Sequence, residues 1–129
     1  MIVCADTTNF GLPEVKRSLV AGAGGLFRLP RVVGMPMALE VILTGDPLSS
    51  QRAYELGMVN KVVPEADVMA EATSLADRIM ANAPLAVQAS RTVTVDALKK
   101  GDDELWKASG TAFAGLVTTE DFKEGPRAF

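Results

Sequence analysis

The chain has 129 residues, 48% of them apolar and 22% charged, with a net charge of −3. These totals fit one globular domain able to bury roughly two thirds of its unfolded surface, and they exclude a disordered chain. The mildly acidic balance without a basic run argues against a nucleic-acid face, and no apolar stretch reaches the ~20 residues of a membrane helix.

Two residue counts narrow the chemistry. There is no histidine and a single cysteine, Cys4. Serine or cysteine catalysis through histidine and every histidine-based metal site therefore fall away, and no disulfide can form within the chain. Carboxylates, lysines, hydroxyls and backbone groups remain. A lone cysteine in an apolar run reads as a small buried residue of a reducing compartment. The opening Met1-Ile2-Val3-Cys4-Ala5-Asp6 has no basic n-region and does not read as a signal peptide.

In chain order, Ile2-Val3-Cys4-Ala5 reads as a buried strand and Asn9-Phe10-Gly11 as a short extended piece or turn. Leu12-Pro13-Glu14 opens a helical turn, since proline suits a first helical position and an acid suits a first turn. The small-residue stretch Ala21-Gly22-Ala23-Gly24-Gly25 feeds Leu26-Phe27-Arg28-Leu29. It lacks the ending of a P-loop and the spacing of a dinucleotide motif, so it reads as a place of close packing. Leu29-Pro30 and Gly34-Met35-Pro36 mark a break before a helix expected to bury Met35, Leu39, Ile42 and Leu43 on one face, with Gly45 at its C-terminus. Ser49 is placed to cap a helix that Gly57 ends, and Val59 to Val63 reads as a second strand closed by Pro64.

The remainder reads as helical. Asp67 is placed to cap a helix carrying Val68, Ala72, Leu75, Ala76 and Ile79, broken at Asn82-Ala83-Pro84. A second helix runs to Lys99-Lys100-Gly101, with cations near its end as the macrodipole favours. A third starts at Asp102 with Leu105, Ala112 and Leu116 on one face, and a fourth starts near Thr118 and is interrupted at Gly125-Pro126. Trp106 and Phe113 lie seven apart, on one helical face, which reads as a core or oligomer contact. Lys16 and Arg17 read as a solvated face. The fold class is thus α+β and mostly helical, divided into residues 1–64 and 65–129. A stable sheet generally needs three or more strands. With so few strand candidates, and no stop signal at Phe129, both ends are expected to be cut from a longer protein.

The run from Ala5 to Leu19, with Gly11-Leu12-Pro13-Glu14 at its centre, resembles the enoyl-CoA hydratase/isomerase (crotonase) family. Ala21-Gly22-Ala23-Gly24-Gly25, Arg28-Leu29-Pro30-Arg31, Leu43-Thr44-Gly45-Asp46, Ala53-Tyr54-Glu55-Leu56-Gly57-Met58-Val59-Asn60-Lys61-Val62-Val63, Asn82-Ala83-Pro84 and the run from Glu120 to Phe129 follow in the family's order. Each segment is a weak signal; their common order is a strong one. The resemblance implies the C-terminal half of such a protein: the last part of a ClpP/crotonase-like β-β-α spiral, then the helices that pack trimers. It implies an intracellular, cytoplasmic enzyme adding water across the double bond of 2-enoyl-CoA thioesters. The alternatives are a Δ3/Δ2 enoyl isomerase or other crotonase chemistry, and, in another class, a non-catalytic oligomerisation module.

By the same resemblance Glu14 falls on a catalytic glutamate that exchanges a proton with the substrate's α-carbon. Beside a proline and apolar neighbours a carboxylate loses hydration, a setting that suits proton transfer. The bland alternative for Glu14 is an acid complementing a helix N-terminus. Leu12, Pro13 and Gly22 are placed in the substrate-binding region, and Phe113 near the adenine of coenzyme A. The expected partners are an acyl-CoA substrate and copies of the chain, as a homotrimer or dimer of trimers, with no nucleic acid or membrane. No cofactor is expected beyond the coenzyme A of the substrate. The family's two oxyanion-hole amides and its first glutamate lie in segments that residues 1–129 do not contain. Nor do the basic residues that usually follow the C-terminal Ala-Phe. The chain alone is therefore expected to be inactive or nearly so.

Overall fold

The computed structural model describes the backbone of residues 1–128 and the side chains of residues 1–124; Phe129, where the family-like pattern ends, lies outside the described residues. The chain forms two compact units, Met1–Ser74 and Leu75–Phe129.

In the first unit, β1 (Val3–Ala5) finds its partner inside the chain. It runs parallel to β4 (Lys61–Val63), with Cys4 opposite Val62. Ile2 N donates to Asn60 Oδ1 at 2.7 Å at one end of this ladder, and Asp6 N donates to the Val63 carbonyl at 2.9 Å at the other. A second ladder joins β2 (Asn9–Phe10) antiparallel to β3 (Leu48–Ser49), pairing Phe10 with Leu48. Both sheets have two strands among the described residues, and a two-stranded sheet is marginal in water. Helices supply the cover: α1 (Gly25–Val33), α2 (Met35–Thr44) and α3 (Ser50–Glu55). The core they close is built from Cys4, Val33, Ala38, Val41, Leu48, Ala53 and Val59.

Local chemistry sets several boundaries as expected. Gly45 ends α2 at φ 68°, Gly57 turns the chain at φ 74°, and Ser49 Oγ caps α3 by accepting from Arg52 N at 3.2 Å. Other expectations fail for identifiable reasons. Pro30 does not break the chain but lies inside α1. Its fixed φ is already helical, so the cost is a lost backbone bond, and the helix continues because Val33 reaches the core. On α2 the buried side chains are Ala38 and Val41, while Met35, Leu39 and Leu43 are 60%, 46% and 67% exposed. The helix is apolar nearly all round, so its period cannot choose the inward face. Asp67 is not a simple cap: it closes a 3-10 turn, Glu65–Asp67, that runs straight into α4 (Val68–Met80).

In the second unit α5 (Pro84–Asp96) packs on α6 (Asp102–Leu116), followed by α7 (Glu120–Ala128). Pro84, expected as part of the break before this helix, is its first residue. The helix stops at Asp96, however, so Lys99 and Lys100 lie beyond its last turn rather than in it; Lys100 reaches back to Asp96 Oδ2 at 2.5 Å. The backbone of α7 continues through Gly125-Pro126 without interruption, again because proline's φ is helical. Leu105, Ala112 and Leu116 share the half-buried face of α6, whereas Trp106 is 78% exposed.

Candidate active site

Glu14 sits in a 3-10 turn, Pro13–Arg17, that the sequence builds from both sides. Pro13 takes the first helical position after Leu12, which is extended at φ −129° and ψ 78°. Ser18 closes the turn in the left-handed region at φ 58°, and Leu19 N donates to the Glu14 carbonyl at 3.0 Å. A non-glycine residue adopts that conformation at a cost of about 1 kcal/mol. The turn packs against α2.

The Glu14 carboxyl is the unusual group. Its Oε2 atom is buried and has no hydrogen-bond partner among the described residues. A buried acceptor left unpaired costs about 1–3 kcal/mol, so such a group stands out from a helix-end acid bathed in water. An oxygen in that state is free to accept from, or exchange a proton with, a bound molecule.

Close packing holds both flanks. A methyl group built on Gly25 would lie 2.9 Å from Leu12 Cδ1 and 3.1 Å from Ala21 Cβ. On the other flank Lys16 lies across Gly45, where an added methyl would meet Lys16 Cε at 3.0 Å, and its Nζ contacts Asp46 Oδ1 at 2.7 Å. Lys16 is thus not merely solvated, although so exposed an ion pair contributes at most about 1 kcal/mol. Two arginines lie over the Phe27 ring of α1, Arg28 at 5.7 Å and Arg31 at 5.5 Å from its centroid.

A groove of about 560 Å³ opens in the same unit, lined by Leu12, Phe10, Leu29, Val32, Leu48 and Met58 among others. Of the residues singled out in the sequence, Leu12 lines this groove, and Pro13 and Glu14 follow it in the turn. Gly22 is exposed in the loop before α1, where its N–H donates to the Val20 carbonyl at 2.7 Å. Phe113 belongs to the second unit, 61% exposed, with its ring edge-on to Phe122 at 5.9 Å. The seating of Leu12 on Gly25 and of Lys16 on Gly45 escaped the sequence reading; the glycine run marked close packing but not its partner.

The family model described as "Enoyl-CoA hydratase/isomerase" matches residues 1–129. The chain belongs to the enoyl-CoA hydratase/isomerase family. Among curated relatives it is 35% identical over 127 residues to a crotonyl-CoA hydratase of Syntrophomonas wolfei, covering 98% of this chain and 49% of that one. It is 34% identical over 132 residues to the carnitinyl-CoA dehydratase of Escherichia coli K12, covering 99% and 51%. Among solved structures, an enoyl-CoA hydratase of Mycobacterium tuberculosis superposes with a TM-score of 0.91 at 41% identity, covering 100% of this chain and 51% of the other. An enoyl-CoA hydratase subunit of Geobacillus kaustophilus gives 0.93 at 36% identity, covering 100% and 50%. The chain therefore spans about half the length of the relatives it matches, and its α+β, mostly helical architecture is part of a crotonase fold.

Proposed function

We propose that this chain is the C-terminal half of an acyl-CoA enzyme that adds water across the double bond of a 2-enoyl-CoA thioester. One observation carries the reading: in a chain of this family, the glutamate after Leu12-Pro13 holds a buried carboxyl oxygen with no hydrogen-bond partner among the described residues. In the proposed reaction, water gives one proton to the family's first glutamate, outside residues 1–129, as its oxygen bonds to C3 and the C2=C3 π bond breaks; that proton returns to Glu14 through solvent after the product leaves. Glu14 gives its proton to C2, and the product is a 3-hydroxyacyl-CoA. Negative charge gathers on the thioester oxygen on the way. The two backbone amides that would stabilise it lie outside residues 1–129, and each such donor is worth about 3 kcal/mol. The isolated chain is therefore expected to be inactive or nearly so.

Leu12, Pro13 and Gly22 are proposed to border the acyl end of the substrate, and Phe113 to approach its adenine. The reading calls for no cofactor besides the substrate's coenzyme A and fits a cytoplasmic, trimeric enzyme. Among the described residues no helix is long and apolar enough to cross a membrane.

The test uses the full-length protein carrying this chain. Glu14→Gln should lower turnover of crotonyl-CoA by about 10²–10⁴-fold with the fold intact, the range general acid–base groups command. Robust hydration by the 129-residue chain alone would overturn the proposed division of the site. In deuterated water, isomerase chemistry would give a shifted double bond in place of the hydroxyl product. A second reading, a non-catalytic oligomerisation module, is favoured by the exposed aromatic rings of Trp106 and Phe113. An unchanged acyl-CoA response after Glu14→Gln would select it.

A further inference from the structure

We propose that the apolar groove of the first unit is the seat of the protein's remaining half, packed against it within one polypeptide, and not the place where the acyl chain of a substrate binds. The proposal rests on reading the chain as half of a longer enzyme.

Among the side chains that wall the groove, only those of Asn9 and Arg28 are polar. Pro13, Glu14 and Gly22 do not line it. The buried carboxyl oxygen therefore lies off the groove, and a substrate's C2 held within the groove would not face it. Leu12 is the one residue common to the groove and the proposed acyl border. The walls are nonetheless bare: Val32 is 47% exposed and Ile2 39%. The strands tell the same story independently. Among the described residues β1 joins only β4 and β2 joins only β3, so every strand has an open edge. The Ile2 carbonyl accepts from Asn60 N–H, and Asp6 N–H donates to the Val63 carbonyl. Backbone groups along a strand point alternately to its two sides, so the N–H and carbonyl of Val3 face away from β4. Parallel strands occur almost only in sheets covered on both faces, and an apolar strand with an open edge calls for a further neighbour. The relatives supply one. This chain is matched almost whole, yet it covers 49% of the crotonyl-CoA hydratase and 51% of the solved enoyl-CoA hydratase. A half chain is thus left to lie against these walls. A second copy fits less well: a twofold contact sets a patch against itself, and two concave walls do not fill each other.

The test uses the full-length protein without substrate. The thiol introduced by Val32→Cys is followed at its own peptide by mass spectrometry. It is expected to react with iodoacetamide at least about 100-fold more slowly in the native protein than in urea, the protection of a packed interior rather than of a fraying edge. In a second variant, Val32→photo-leucine, illumination is expected to cross-link the diazirine to residues outside 1–129, with the product keeping the mass of one chain on a denaturing gel. A native thiol that reacts at its unfolded rate would overturn the proposal, and so would cross-links confined to residues 1–129. Protection that appears only with saturating crotonyl-CoA would overturn it in favour of an acyl pocket. A cross-linked band of doubled mass would overturn it in favour of a contact between copies. If Val32→Cys does not fold, Ile2→Cys places the thiol at another wall of the same groove, with the same outcomes. If Glu14→Gln leaves turnover unchanged, the catalytic reading fails while the labelling and cross-linking results still decide this one.

Discussion

Two buried polar groups in the first unit have opposite fates, and they should respond oppositely to removal. Ser50 is 2% exposed, and its Oγ donates to the Asp6 carbonyl at 2.7 Å while its N–H donates to the Thr8 carbonyl at 2.9 Å. It ties the start of α3 to the loop after β1. Ser50→Ala is expected to cost about 1 kcal/mol, the net worth of such a bond, and to lower the urea midpoint of the isolated chain. Glu14 Oε2 is buried without a partner among the described residues. Glu14→Met removes that desolvated acceptor at nearly equal size, so it should leave stability unchanged or raise it by about 1 kcal/mol in the same urea titration. A clear loss of stability would show that the carboxyl has a structural partner. The pairing of a stability gain with a functional loss at one residue is what distinguishes a site residue from a structural one.

At the scale of elements, the helix ends of the second unit carry the readable electrostatics. The hydrogen bond from Lys100 is the main cause holding the Asp96 carboxyl below its ordinary value of 3.8, and the same bond raises Lys100 above 10.5. Both groups are at the surface, so the effect is local. The sign follows from linkage. A depressed carboxylate contributes fully above its unfolded value, and the contribution fades as pH falls from 3.8 through the lower folded value. A raised ammonium contributes fully below 10.5 and fades as pH rises through the higher folded value. The prediction is that the amides of Ala97, Lys99 and Lys100 lose protection from exchange below about pH 4 while those in the middle of α5 keep it. Asp96→Asn should abolish that pH dependence.

At the scale of the molecule, the distribution of apolar side chains sets the expectations. The buried core of the first unit is made of small and medium residues, whereas Trp106, Phe113, Met69, Met80 and Leu98 are all more than 60% exposed. Trp106 is the sole tryptophan, so it reports on the second unit alone. If the chain associates as its family resemblance implies, Trp106 emission should shift to the blue as concentration rises, together with a rise in mass by light scattering. A monomer with solvent-exposed emission at every concentration would remove the trimer expectation for this chain.

The sequence by itself determined whatever depends on near neighbours. Glycine at positive φ fixed the turns at Gly45 and Gly57, Ser49 fixed the start of α3, and Pro13 and Pro84 fixed two helix starts, because these are properties of one to four residues. The order of short motifs placed the chain in its family, and Gly11-Leu12-Pro13-Glu14 marked the carboxylate. Only the tertiary structure decided the rest. Which face of α2 turns inward could not be read because apolar residues surround the helix, so the contest between Ala38 and Leu39 was settled by the core that Ala38 shares with Cys4 and Ala53. The parallel pairing of β1 with β4 joins residues far apart in the chain, and no local pattern encodes it. Pro30 stayed helical because packing at Val33 outweighed a lost backbone bond. The burial of Glu14 Oε2 and the seat of Leu12 on Gly25 likewise arise where distant segments meet: a sequence states which groups exist, but the removal of water from one of them depends on everything folded around it.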